Sequence, residues 1–280
     1  MTTIEYSLFR AKFIKPHLLP LNETSSQTPQ QIMLTAISQA PQMEAKRGYV
    51  WHIGNIEYFT KAKDAGYFAV GRTTRESLPR FNPETREFLE VEFETSPYTH
   101  CVFDSTLGLV GIAKNTNLAA TAKGVASRLQ HLLEQANVVV ENEVTVEIAP
   151  IPDPEGFLKS IASAYRVTRF TAHFTGPNPF DADKYFQKPL SVYLSAADGQ
   201  KGKAAIQGQD LKRDVIAEVA RSTAATGNEA SARITKSRNQ KPITINLKGD
   251  PVKKRYDEAH HRPQQVLADL VALYNHLRHD

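Results

Sequence analysis

Alternating apolar and polar positions recur along the chain and predict many β-strands. This period of two is typical of a strand with one buried face. Among neighbouring strands we expect a hairpin turn at 53–56, a Pro-containing turn at 81–85 and another turn at 105–108. The strand pattern occupies residues 4–14, 48–59, 66–74, 88–93, 98–104, 108–115, 144–151, 165–174, 201–209, 230–239 and 242–249.

A spacing of three and four residues between apolar positions predicts the helices. The expected N-caps are Thr28, which precedes Pro29, and then Asn117 and Asp210. The apolar stripe of the last helix fits packing within the chain and a contact between subunits equally well. Helices are expected at residues 29–39, 118–136, 154–161, 211–222 and 263–278, and a helix or strand at 190–194.

These elements predict an α+β fold of mostly antiparallel sheets with flanking helices, in two subdomains. We place an N-terminal scaffold domain at residues 1–142 and a basic domain at 143–280. The strands at 144–151 and 165–174, with the short helix between them, predict a β-α-β unit. Alternation in the second strand places Val167, Arg169, Thr171 and His173 on one face, with Arg166, Thr168, Phe170, Ala172 and Phe174 on the other.

Composition favours a soluble globular protein, because 41% of the 280 residues are hydrophobic and 23% are charged. No apolar run approaches the roughly 18–20 residues that span a bilayer, so we expect no direct membrane insertion. Residues 1–14 mix acidic and basic side chains among apolar ones, unlike a signal peptide. The single cysteine, Cys101, excludes an intramolecular disulfide and favours a cytoplasmic location.

Positive charge is concentrated near the C-terminus. Residues 199–255 contain 13 Lys and Arg against 5 Asp and Glu, a surplus of eight in a chain whose net charge is +4. Residues 1–150 have a net charge of −2 (14 basic, 16 acidic) and residues 151–280 one of +6 (20 basic, 14 acidic). Such a basic region is typical of a surface that binds a polyanion, and nucleic acid is the expected ligand.

The basic region favours double-stranded DNA. Ser, Thr, Asn and Gln are interleaved with the cations and suit phosphate oxygens, whereas few aromatic residues are present to stack on unpaired bases. Residues 230–249 predict a hairpin that is basic on both sides, with Arg233 on one face and Lys236 and Arg238 on the other. The candidate DNA-binding residues are Arg166, Arg169, Lys201, Lys203, Lys212, Arg213, Arg233, Lys236, Arg238, Lys241, Lys253, Lys254 and Arg255.

Catalytic signatures are weak, and we expect no cofactor, no bound metal and no catalytic residue. Neither a phosphate-binding glycine loop nor a metal-ligand spacing occurs. Cys101 and His100 are neighbours on a strand, so their side chains point to opposite faces. An enzymatic alternative is a divalent-metal nuclease that uses Asp104 and glutamates of the acidic run 87–94. A third alternative is a protein-interaction module that docks its basic half on such an acidic strand.

Three segments, taken in order, resemble the Rex exclusion protein A (RexA-like) family of lambda-type phages. YVWHIGNIEYFTKAKD resembles the early hairpin of that family, and LVGIAKNTNLAATAKGVASRL resembles its strand and long helix. VEIAPIPDPEGFLKSIASAYRVTRFTAHF resembles its Ile-Glu-Pro strand, short helix and basic strand. A basic strand pair and a terminal helix follow in the same order.

The resemblance implies a homodimeric, largely sequence-nonspecific DNA-binding protein without enzymatic activity. It implies a role in phage exclusion or abortive infection, a form of antiviral defence. In that family a separate membrane partner executes the response, so an effector protein encoded nearby is a further expected partner. The individual DNA contacts come from the charge pattern alone.

Overall fold

The computed structural model describes residues 3–15, 27–45, 48–175, 186–197, 199, 201–257 and 259–279. Its strands are β1 (Thr3–Ile14), β2 (Gln42–Ala45), β3 (Tyr49–Tyr58), β4 (Ala65–Asn82), β5 (Glu87–Thr95), β6 (Tyr98–Asp104), β7 (Leu109–Ala113), β8 (Thr145–Pro150), β9 (Arg166–Thr175), β10 (Lys201–Gln207), β11 (Ala230–Thr235), β12 (Ile243–Leu247) and β13 (Lys253–Asp257). Its helices are α1 (Pro29–Ser38), α2 (Ala122–Glu134), α3 (Asn137–Glu141), α4 (Glu155–Ala162), α5 (Gln187–Ala196), α6 (Arg213–Ala225) and α7 (Pro263–His279). These elements confirm the α+β class.

Nine strands form a large antiparallel sheet. Seven of them follow the order β13-β1-β7-β6-β4-β3-β2, while β8 pairs with β1 and β5 pairs with β4. Strand β1 has β7 on one side, and on its other side β13 and β8 follow each other along its length. The second half of β4 leaves this sheet and pairs with β5 alone. The predicted boundary at 142/143 does not separate the two sheets, because β8, β13 and α7 all belong to the large-sheet unit.

Both faces of the large sheet are buried. Helices α1, α2 and α3 cover one face, where alternate β1 residues such as Phe9 and Phe13 lie. Helix α7 covers the other face and packs on Tyr6 and Leu8. The apolar stripe of α7 is therefore used within the chain. Its buried members are Val266, Leu267, Leu270, Tyr274 and Leu277.

The remaining four strands form a small antiparallel sheet in the order β10-β9-β11-β12. Its inner face carries Phe170, Ala232 and Ile234, which are buried against α4 and α6. Helices α4 and α6 supply the helical residues of this buried cluster, and α5 also contacts β9 and β10. The opposite side of these strands is the outer face.

Several local predictions are confirmed and others are corrected. Helix α1 begins as expected, with a capping box in which Thr28 and Gln31 exchange hydrogen bonds. Helix α2, however, begins four residues late, and Thr121 rather than Asn117 is its N-cap. Asp210 is not the cap of α6, because its carboxylate accepts instead from the Val167 amide at 3.0 Å.

Three predictions about strands are wrong for non-local reasons. No turn forms at 53–56, because β3 continues through these residues with an irregularity opposite β4. The expected β-α-β unit is divided, since β8 joins the large sheet and β9 the small one. The hairpin of β11 and β12 exists but is not basic on both sides, because its inner face is apolar. Lys236 and Arg238 lie in the loop that joins the two strands.

A buried polar cluster joins the two sheets. The Lys12 ammonium on β1 donates to Thr175 Oγ1 at 2.8 Å and to Asn228 Oδ1 at 3.0 Å, and Glu147 lies 4.0 Å away. Burial lowers the pKa of Lys12 to about 8, an effect that Glu147 partly opposes. Nearby, Pro152 and Pro251 form an isolated β-bridge. The cluster and the bridge together fix the small-sheet unit to the large sheet.

The ribbon formed by Thr74–Asn82 of β4 and by β5 projects beyond the large sheet. One side of it places Leu78 opposite Val91, and the other aligns Glu90, Glu92 and Glu94. Apolar side chains are unusually exposed here, with Phe88 reaching 78%. A two-stranded ribbon is marginally stable in water, and exposed apolar patches are typical of interaction surfaces.

Candidate nucleic-acid interface

The strands of the small sheet contain no acidic residue. Their sequences are RVTRFTAHFT, KGKAAIQ, ASARIT and ITINL. Since the inner face is apolar, the cations of these strands are left for the outer face or the strand ends. We call this outer face, together with the loop 236–242, the basic face. Its cations are Arg166, Arg169, Lys201, Lys203, Arg233, Lys236, Arg238 and Lys241.

A β-bulge decides which β9 residues reach the basic face. The pairing shifts where Arg233 and Ile234 of β11 face β9, so that Arg233 lies opposite Arg169 and Ile234 opposite Val167. Val167 is consequently fully buried, whereas Arg169 is exposed. The predicted grouping of Val167 with Arg169 on one face is therefore wrong. An extra residue in one strand is the usual cause of such a change of face.

The basic face is organised in rows across the strands. The first row aligns Gln207, Arg169, Arg233 and Thr244. With strands spaced about 4.8 Å apart, this row is roughly 14 Å wide. The second row is neutral, and in the third Lys203 and His173 are followed by Glu229, whose carbonyl accepts from the His173 amide just before β11. The second row contains Ala205, Thr171, Ser231 and Asn246.

The far end of the basic face runs into a cleft of about 880 Å³ between the two sheets. Lys201 and His173 line one wall, and residues of β8 and α2 line the other. Lys123, on the α2 wall, is held by Asp250 at 2.8 Å. Lys248 also lines the cleft, but so do Glu147 and Glu229. The cleft therefore has mixed charge, whereas the face that leads into it is basic.

Five of the candidate DNA-binding residues lie outside the basic face. Lys253 and Arg255 on β13 pair with Glu5 at 3.1 and 3.0 Å, and Lys254 pairs with Asp269 at 3.1 Å. The Arg213 guanidinium donates to the carbonyls of Ala164 and Tyr165. Lys212 precedes the same helix as its N-cap. The trailing basic run and the α6 start thus have roles within the fold, and only the other eight candidates are brought together.

Sequence reasoning missed several polar members of the interface. Gln207 joins the Arg169 row, His173 joins the Lys203 row, and Lys248 lines the cleft. Their common signal is position, since each lies in or directly after a strand that contains no acid. Only the strand register shows that they share a face with the cations.

No described group of residues matches the nuclease alternative. Asp104 pairs with Ala65 at one end of β4, whereas Glu90 pairs with Pro79, fourteen residues further along that strand. At about 3.3 Å per residue, the two carboxylates are separated by roughly 45 Å along the strand. Within the described ranges, no three His, Cys, Asp or Glu side chains come together as metal ligands. The carboxylates named for this activity do not converge.

The cysteine and two of the histidines considered as reactive groups have contacts within the fold. Cys101 is buried, and burial raises its thiol pKa far above the usual range. His100 points to the other face of β6, where its Nδ1 lies 2.8 Å from the Tyr67 hydroxyl. His260 lies 3.1 Å from Asp257. The adjacent Cys101 and His100 therefore do not form a nucleophile and base.

Neither a scan against models of known protein families nor a search of curated protein sequences finds a match to this chain. Among the described helices, none is both long and apolar enough to cross a bilayer.

Proposed function

We propose that this protein binds double-stranded DNA through the basic face, largely without sequence preference and without chemical modification of the DNA. The observation that carries the proposal is a sheet face with eight cations on strands and a loop that contain no carboxylate. Like charges that face each other across a sheet are destabilising, so their concentration is best explained by an anionic ligand. A polyanion with regularly spaced phosphates fits a broad, row-like array of cations.

Duplex DNA is favoured over single strands because the four strands of the face present no exposed aromatic side chain, and Tyr165, exposed just before β9, packs against the Arg166 guanidinium. The aromatic residues of its strands, Phe170 and Phe174, are buried on the inner side. Single-strand binders combine a basic groove with exposed aromatic side chains. Arg, Lys, Thr and Ser on the basic face suit the phosphate backbone, and contacts of this kind position a duplex without reading its sequence.

Fluorescence anisotropy with a labelled 25-bp duplex of random sequence tests the proposal. If the eight cations neutralise as many phosphates, log K falls against log salt with a slope of roughly −7. The triple variant in which Gln replaces Arg169, Lys203 and Arg233 should have a slope whose magnitude is smaller by about 2.7. A matched control replaces three exposed cations that lie off both the basic face and the Leu78 side of the ribbon, Lys61, Arg75 and Arg86, and leaves the slope unchanged. Absence of binding at micromolar protein in low salt would reject the proposal, as would equal effects of the two triple variants.

The same preparation separates DNA binding from the nuclease alternative. Supercoiled plasmid incubated with the protein and Mg²⁺ or Mn²⁺ remains intact if the protein only binds. Nicking or linearisation that disappears with EDTA, and that Asp104→Asn abolishes, would establish cleavage instead.

For the cellular role we propose phage exclusion, and the support is the segment order shared with the Rex exclusion protein A family. Expression of the chain together with its neighbouring genes should lower the plating efficiency of a sensitive phage. The Arg169, Lys203 and Arg233 triple variant should restore plating, whereas the Lys61, Arg75 and Arg86 control variant should not. Equal protection by both variants would show that the basic face has no part in defence.

We further propose that a homodimer forms through the ribbon rather than through α7. The α7 stripe is buried within the chain, whereas the apolar side of the ribbon, around Leu78 and Val91, is not. That side also carries Glu76 and Arg80, so two copies of it related by a two-fold axis can be self-complementary. The side with Glu90, Glu92, Glu94 and the Phe81–Phe88 pair stays in water. Light scattering should give a dimer mass for the native chain and a monomer mass for Leu78→Glu. A dimer that persists in this variant would exclude the ribbon.

A further inference from the structure

A small open pocket of about 500 Å³ lies at one end of the basic face, where the β9 bulge meets the loop after β10. Six residues line it: Thr168, Arg169, Gln207, Gly208, Gln209 and Arg233. The two guanidinium groups come from directly opposed positions on β9 and β11. Gln207 flanks Arg169 from the other neighbouring strand. Cationic forks and amides thus meet in a single depression.

The wall of this pocket is fixed by backbone hydrogen bonds. The Gly208 amide donates to the Thr168 carbonyl at 3.1 Å, and the Leu211 amide donates to the Val167 carbonyl at 2.7 Å. The Thr168 hydroxyl donates to the Arg233 carbonyl at 3.3 Å, which ties the bulge to β11. The loop after β10 and the bulged strand are therefore held together before any ligand arrives. Such preorganisation reduces the entropy lost on binding.

The charges around the pocket favour an anion. Asp210 is the nearest acidic residue in the sequence, but its carboxylate accepts from the Val167 amide and lies 3.5 Å from Arg213. Arg169 and Arg233, in contrast, have no carboxylate within ion-pairing distance among the described residues. Paired guanidinium groups suit phosphate because each offers two parallel N–H donors to its oxygens.

We propose that this pocket is a phosphate site, in which Arg169 and Arg233 grip one phosphate group from two sides and Gln207 and Gln209 donate to its remaining oxygens. The inference rests on the proposed DNA-binding function for its natural ligand, a phosphodiester of the DNA backbone. A free phosphate monoester has the same chemistry and is the other source to be distinguished. The remaining cations of the basic face then act mainly through charge, while this pocket fixes the position of the duplex.

The test compares three double variants of the full chain that are first shown to be folded by circular dichroism. Arg169→Gln with Arg233→Gln removes both charge and forks. Arg169→Lys with Arg233→Lys keeps the charge and removes the forks. Lys201→Gln with Lys203→Gln removes the same charge elsewhere on the face. Each is titrated with the random 25-bp duplex by anisotropy and with inorganic phosphate by NMR of the arginine side chains.

If the pocket grips a backbone phosphate, the Arg-to-Gln pair loses roughly tenfold more duplex affinity than the lysine control. The Arg-to-Lys pair keeps the salt slope of the native chain but still loses several-fold in affinity, because lysine lacks the fork. Inorganic phosphate shifts the Arg169 and Arg233 resonances of the native chain and displaces the duplex.

The outcomes separate the pocket from the proposed function. Suppose that the native chain binds the duplex, but that the Arg169→Gln, Arg233→Gln pair and the Lys201→Gln, Lys203→Gln pair weaken binding equally. The phosphate site is then overturned and DNA binding stands. If the duplex does not bind but inorganic phosphate still perturbs both arginines, DNA binding fails and the pocket is a site for a free phosphate compound. If neither ligand binds, both are overturned.

Discussion

Replacing Lys12 with Met should change how stability depends on pH, because this lysine is buried with only partial compensation. Its folded pKa is about 8, against an ordinary value of 10.5. Below pH 8 the side chain carries its proton in both the folded and the unfolded state. Between pH 8 and 10.5 the unfolded chain binds the proton more tightly, so the free energy of unfolding rises with pH. Each pH unit contributes about 1.4 kcal/mol, which sums to roughly 3 kcal/mol over this window.

Methionine keeps the length and apolar stem of Lys12 but cannot titrate. The free energy of unfolding of the native chain, minus that of Lys12→Met, should therefore grow by roughly 3 kcal/mol between pH 7.5 and 10.5. Burial also raises the pKa values of Cys101 and Tyr6, which lowers stability at high pH. These residues are present in both proteins, so their contributions cancel in the difference.

Urea unfolding followed through the fluorescence of Trp51, the single tryptophan, provides the measurement. Lys61→Met, at an exposed position, is the matched control and should give a difference that does not depend on pH. Glu147 acts in the opposite direction to burial by favouring the charged lysine. A difference that shrinks as pH rises would show that Glu147 dominates, and a constant difference would show that Lys12 does not titrate in this window. Either result would refute the reasoning.

Three further predictions concern Arg233 on the basic face, Gly227 next to Ala149 of β8, and the thiol of Cys101. Arg233→Gln should raise the free energy of unfolding in low salt by about 0.2–1 kcal/mol, because it removes repulsion from Arg169, and this gain should vanish in 1 M NaCl; a loss of stability would contradict the unpaired arrangement. Gly227→Ala should lower the free energy of unfolding in urea by at least about 1–2 kcal/mol, because Gly227 has φ +68° and the added methyl group would lie 2.8 Å from the Cβ of Ala149. The control, Gly156→Ala in an open stretch of α4, should raise that free energy by up to about 1 kcal/mol. Cys101 should react with a thiol reagent only at the rate of unfolding, and rapid labelling of the native protein would contradict its burial.

Local sequence patterns predict the elements that are determined by interactions between residues close together in the chain. Helix α1 follows from its cap at Thr28, the Pro29 start and an apolar stripe, and the β11–β12 hairpin follows from alternation on either side of a polar loop. The start of α2 was misplaced because Asn115 and Asn117 form a turn of their own before Thr121. The alternation alone does not distinguish such a turn from a first helical turn.

Features that depend on partners far away in the chain cannot be predicted from the local sequence. The basic run 253–255 has the same composition as a nucleic-acid contact, but its charges meet Glu5 and Asp269, and Glu5 is some 250 positions away in the chain. The β9 bulge, which sends Val167 inward and Arg169 outward, is set by the register with β11. Charge density therefore indicated roughly where the basic face lies, while strand pairing determines which cations belong to it.

The bridge between Pro152 and Pro251 has a consequence for the modular organisation of the chain. The segment between them, residues 153–250, contains the whole small sheet, and it leaves and re-enters the large-sheet unit at adjacent points. We call this inserted segment the cassette. Because Pro152 and Pro251 are adjacent, a short linker between them could replace the cassette with little loss of loop entropy. A relative that lacked the cassette could keep the large sheet while losing the basic face. A different cassette at the same two prolines could give the same scaffold a different ligand.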